Sequence, residues 1–118
     1  MTLPNRESAY VPSAKLDGYL LSEVHPIGRA KALFLKNLGY DIKDSSTLER
    51  DLISIAHEGV LTDTITSEYG TKYVITGEIS APNGETVWLR TVWIIDRGIA
   101  QPRFVTAYSD RPRQGGTR

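Results

Sequence analysis

The chain has 118 residues, with 14 Lys plus Arg against 14 Asp plus Glu, 40% hydrophobic residues, 24% charged residues and no cysteine. That is one globular domain's worth, and it excludes disorder as the main state, a disulfide framework, a thiol nucleophile and a thiolate metal site. The longest apolar runs, 32–35 and 92–95, are too short to cross a bilayer, and the balanced charge argues against bulk attraction to nucleic acid. No stretch reads as a signal peptide, so the expected setting is cytoplasmic, with no membrane association.

The first half reads helical. Pro12 and Ser13 start a short helix over 14–21, with Ser13 as the N-cap. His25-Pro26 sets a break, because proline disfavours helix for the residue before it. A second helix over 27–38 follows and ends at Gly39. A third, over 47–58, carries Leu48, Leu52, Ile55 and Ala56 at helical spacing and ends at Gly59.

The second half reads as strands. Residues 60–68 are Thr-rich and β-branched, and Tyr69-Gly70 makes a turn. Residues 71–79 alternate, and Pro82-Asn83-Gly84 is a hairpin signal. Residues 86–96 are apolar at both parities, the pattern of a central strand covered on both sides. Arg97-Gly98 turns the chain into a last strand over 103–108. Helices first and strands afterwards predict an α+β domain over residues 1–109, about three N-terminal helices packed on an antiparallel sheet of about four strands. The remaining residues, 110–118, carry three arginines, one aspartate and no apolar side chain, and read as a disordered basic tail.

Polar residues at positions that want apolar ones are the candidate site. On a helical wheel, Lys31 falls inside the stripe of Ile27, Ala30, Phe34 and Leu38, while Arg29 points away. Lys31 either snorkels to water or holds an anion in a cleft between helix and sheet. Arg90 and Thr91 interrupt the central strand. Arg90 needs a carboxylate partner such as Glu78 or an open cleft, and Thr91 is either a ligand group or a β-former. Phe104, Thr106 and Tyr108 are expected on one face of the last strand, where the two hydroxyls can bind one phosphate or base edge. Lys72 lies beside the turn, either as a solvated charge or at the margin of the site. His25 precedes a helix N-terminus, which suits a neutral general base, and His57 reads as structural. No histidine or carboxylate spacing supports a metal, and no glycine fingerprint supports a nucleotide cofactor.

At these residues the chain resembles a known family. Tyr19-Leu20-Leu21, the run from His25 through Lys31, Phe34 and Leu38-Gly39-Tyr40 resemble the opening motif of an uncharacterised bacterial domain family. Tyr69 to Tyr73, Arg90 to Asp96 and Pro102 to Tyr108 resemble its closing motifs, so the likeness spans about 3–109. Ser109 departs from the proline that commonly follows the family's last Thr-Ala-Tyr. The family occurs as small stand-alone proteins and as C-terminal modules of polymorphic toxins. It is in turn similar to the barnase, EndoU, colicin and RelE group of metal-independent ribonucleases.

The resemblance implies a toxin-type endoribonuclease that cleaves RNA through the substrate's 2′-hydroxyl. His25, Lys31, Arg90 and Tyr108 are then the catalytic set, and Arg29, Lys72, Thr91 and Thr106 the substrate-binding set. The expected partners are RNA and a cognate antitoxin or immunity protein. Two other readings stay open: a non-catalytic module that binds a partner protein or a small anion, and an antitoxin or immunity protein.

Overall fold

Among the described residues three α-helical segments precede four strands, and the spacing of the apolar residues explains which way each one faces. The computed structural model describes residues 1–16, 29–41 and 45–109, with the backbone alone at 29–32. A 3-10 turn, Arg6–Ser8, leads to α1, Ser13–Lys15; α2 is Arg29–Asn37 and α3 is Ser45–Glu58. The strands are β1, Val60–Ser67; β2, Gly70–Ser80; β3, Thr86–Asp96; and β4, Arg103–Ser109. Residues 17–21 of the expected first helix and 27–28 of the second lie outside the described residues.

The helix ends follow local chemistry. Ser13 is the first residue of α1 rather than its cap; the cap position falls on Pro12, whose extended backbone suits it and which makes no side-chain cap bond. Gly39 follows α2 at φ +102°, a region open to glycine at little cost. There the Gly39 N–H donates to the Lys36 carbonyl (2.9 Å) and the Tyr40 N–H to the Leu35 carbonyl (3.1 Å), which satisfies two of the helix's last carbonyls. The stripe on α3 is buried at Leu48, Leu52, Ile55 and Ala56, and each of the three larger side chains contributes roughly 1.5–3 kcal/mol of burial.

The strands form one antiparallel meander in the order β1-β2-β3-β4. Strict alternation sends Ile75 and Ile79 of β2, and Leu89, Thr91 and Trp93 of β3, to one face. Leu35, Leu38 and the α3 stripe pack with them in a single core. Trp93 and Phe104 close it edge to face, with ring centroids 5.3 Å apart and planes at 75°, a geometry worth about 0.5–1.5 kcal/mol beyond its burial.

Two expectations are corrected. β3 was expected to be covered on both faces, but the described helices pack on one face only. On the other, Trp88 is 41% exposed while Ile94 is buried, and neither belongs to the helix-packed core cluster. Of the apolar residues at even positions of β3, Val92 lines one pocket and Trp88 another. The second correction concerns β4. The register passes from Val92↔Thr106 to Trp93↔Phe104, so Val105 is an extra residue in a β-bulge. The bulge reverses parity. Phe104 enters the core, whereas Thr106 and Tyr108 face the other way.

Candidate functional site

The open face of the sheet carries the polar set. With β2 and β3 in unbroken register, even-numbered residues share that face: Lys72, Val74, Thr76 and Glu78 on β2, and Trp88, Arg90, Val92 and Ile94 on β3. Tyr108 lies directly across from Arg90, Thr106 across from Val92, and Asp63 of β1 across from Val74. Part of this set, without Thr76, Glu78, Trp88 and Ile94, borders a pocket of about 470 Å³. Its lining includes Asp63, Lys72, Arg90, Thr106 and Tyr108 around an apolar floor of Val74, Val92 and Val105.

Its charged lining is two cations, Lys72 and Arg90, and one carboxylate, Asp63. The Arg90 guanidinium carbon lies 5.9 Å from the centre of the Tyr108 ring, within reach of a cation–π attraction. The Thr106 Oγ1 is buried and has no hydrogen-bond partner, and a buried hydroxyl left unmade costs about 1–3 kcal/mol. Asp63 is exposed, and its Oδ1 accepts the Thr64 N–H at 2.8 Å. Arg103 is committed to Asp96, bonding it through Nε and Nη2 at 3.1–3.3 Å.

Residues 2–111 match the family described as a domain of unknown function, DUF6883. The chain belongs to that family. This DUF6883 domain is similar in fold to a chain of the contact-dependent growth inhibition toxin–immunity protein complex from Klebsiella pneumoniae 342. The TM-score is 0.70 at 18% identity, over 91% of this chain and 97% of that one. No curated protein matches it.

The DUF6883 fold brings four of the eight sequence candidates, Lys72, Arg90, Thr106 and Tyr108, to one pocket. Thr91 lies on the other face, fully buried; its hydroxyl donates to the Ile75 carbonyl (2.7 Å) and accepts the Trp93 indole N–H (2.8 Å). His25 and the side chains of Arg29 and Lys31 lie outside the described residues. The α2 backbone that carries Arg29 and Lys31 belongs to the layer whose Leu35 and Leu38 pack on the core face. The cleft expected between helix and sheet rests on the Lys31 side chain and so lies outside the described residues.

Sequence reasoning passed over Asp63 and Trp88. Glu78, offered as a partner for Arg90, stands directly across from Trp88 and diagonal to Arg90. The only available signal for Asp63 was its parity in β1, and a register irregularity between Leu61 and Asp63 hides that parity. Elsewhere in the DUF6883 domain the Tyr40 hydroxyl donates to Asp51 Oδ2 at 2.5 Å. Burial first, then that carboxylate, pushes the Tyr40 hydroxyl well above the ordinary tyrosine range; this pair ties the α2–α3 connection to α3. Among the described residues no group of three or more His, Cys, Asp or Glu side chains is placed to hold a metal, and no helix is long and apolar enough to cross a membrane.

Proposed function

We propose that this chain is the RNA-cleaving module of a bacterial toxin–immunity pair, with the open-face pocket as its site. The observation that carries the reading is the pocket itself. Two cations from different strands, Lys72 and Arg90, converge there with the Tyr108 hydroxyl and the buried, unbonded Thr106 hydroxyl. Oxygen-rich anions suit that donor set. The resemblance to polymorphic-toxin modules and the fold shared with a chain of a toxin–immunity complex support the same setting.

In this reading the 2′-hydroxyl of the RNA attacks the adjacent phosphorus. The O2′–P bond forms as the P–O5′ bond breaks, and a cyclic phosphate and a 5′-hydroxyl result. Asp63 takes the 2′ proton, and the departing 5′ oxygen is protonated by Tyr108 or by water. Lys72 and Arg90 hold the charge that builds on the phosphorane oxygens. His25 is the second candidate for the proton acceptor, and Lys31 and Arg29 the further candidate cations.

Purified protein incubated with total RNA and tRNA in the presence of a chelator is expected to produce fragments. The Lys72→Ala/Arg90→Ala double variant should cut at least about a hundredfold more slowly. The Asp63→Asn and His25→Ala variants separate the two proton acceptors. Equal, intact RNA with wild type and double variant, together with no growth arrest on expression, overturns the reading. The balanced charge of the chain, 14 against 14, favours a second reading, a non-catalytic module that binds a partner protein, and the same intact RNA would support it.

A further inference from the structure

Two exposed aromatic residues neighbour Arg90 in the strand register, Tyr108 in the same pocket and Trp88 in a second pocket lined also by Thr76 and Glu78. Trp88 is two residues before Arg90 on the same face of β3, about 6.6–6.8 Å away along the strand, and Tyr108 is the direct cross-strand neighbour of Arg90. They are 41% and 40% exposed, whereas the other tryptophan, Trp93, is fully buried. The acidic residues of this face are Asp63 on β1, Glu78 on β2 and Asp96 on β3, the last paired with Arg103, and the pocket's cations are Lys72 on β2 and Arg90 on β3. Arg90 stands directly across from Thr76 on β2 and Tyr108 on β4, so this cation lies beside both rings in the register.

We propose that this face binds single-stranded RNA, with unpaired bases stacking on Trp88 and Tyr108 and the phosphate between them held by Arg90. The inference rests on the reading of the pocket as an RNA site and adds the strand state of the substrate and a specificity residue, Trp88. Every base has a π-face, so aromatic stacking is available to any unpaired nucleotide. In a duplex those faces are covered by neighbouring base pairs, and the rings have nothing to stack on. Duplex recognition would instead need a broad basic surface. Residues 1–109 carry 11 basic and 13 acidic side chains, a net of −2 (11 − 13).

The test uses the full chain and a single-stranded 2′-O-methyl oligonucleotide, which lacks the attacking hydroxyl, so binding is read apart from cleavage. Because Trp93 is buried, quenching of tryptophan fluorescence reports Trp88. Saturable quenching is expected. Fluorescence anisotropy of the labelled oligonucleotide should show Trp88→Ala binding about tenfold more weakly, and a duplex of the same sequence at least about tenfold more weakly than the single strand. Absence of quenching, equal binding of the duplex, or unchanged affinity of Trp88→Ala overturns the inference. A partner protein that buries Trp88 while neither nucleic acid binds overturns it in favour of a protein surface. Cleavage of unmodified RNA without stacking refutes this inference alone; stacking without cleavage refutes the ribonuclease reading alone.

Discussion

Thr91 and Arg90 are adjacent, and the pleat sends them to opposite worlds. Thr91 satisfies the Trp93 indole N–H and donates to the Ile75 carbonyl inside the core. Thr91→Val keeps the shape but leaves the indole donor buried and unbonded, at a cost of about 1–3 kcal/mol. For a domain of this size that lowers Tm by roughly 4–12 °C, and the proposed RNA cleavage should be unchanged below the transition. A thermal melt that matches wild type would mean that the indole finds another acceptor. Sequence flagged both residues, because a polar side chain in an apolar strand looks the same whether its partner is a ligand or a core indole. What separates them is the position of Ile75 sixteen residues earlier, which no local pattern contains.

At the scale of elements, the join between α3 and β1 is a single glycine. A Cβ on Gly59 would lie 2.6 Å from the Ile55 carbonyl oxygen, 2.8 Å from the Thr76 carbonyl oxygen and 2.7 Å from Ile75 Cγ2. Two of these neighbours are backbone and cannot step aside without moving the helix off the sheet. Gly59→Ala should therefore destabilise the fold by about 1–3 kcal/mol, read as a lower urea midpoint at unchanged slope. A midpoint equal to wild type would show that α3 shifts freely over β2. The elements themselves were legible: 3.6-residue spacing on α3, alternation on β2 and the turn residues between strands each reflect a local rule. The bulge at Val105 was not. One extra residue leaves composition and propensity unaltered, yet it decides that Thr106 and Tyr108 join Arg90 while Phe104 leaves them.

At the scale of the whole molecule, charge limits how the proposed RNA ligand would be held. With residues 1–109 at a net of −2 (11 − 13), attraction must come from a few placed cations. Two phosphate contacts, at Lys72 and Arg90, predict a slope of about −1.4 for log binding constant against log salt. Anisotropy titrations across a salt series measure it, and a slope steeper than about −4 would point to a broad basic surface instead. The amino-acid sequence by itself determined the α+β class, the helix-then-strand order, the central place of β3 and the residue types available for chemistry. Periodicity, turn residues and composition are local properties, and they survive without the fold. Only the tertiary structure decided which of those residues meet. It gathered Asp63, Lys72, Arg90, Thr106 and Tyr108 from four strands into one pocket and sent Thr91 into the core. Strand register and a single bulge set that outcome, and both arise from pairing between residues far apart in the chain.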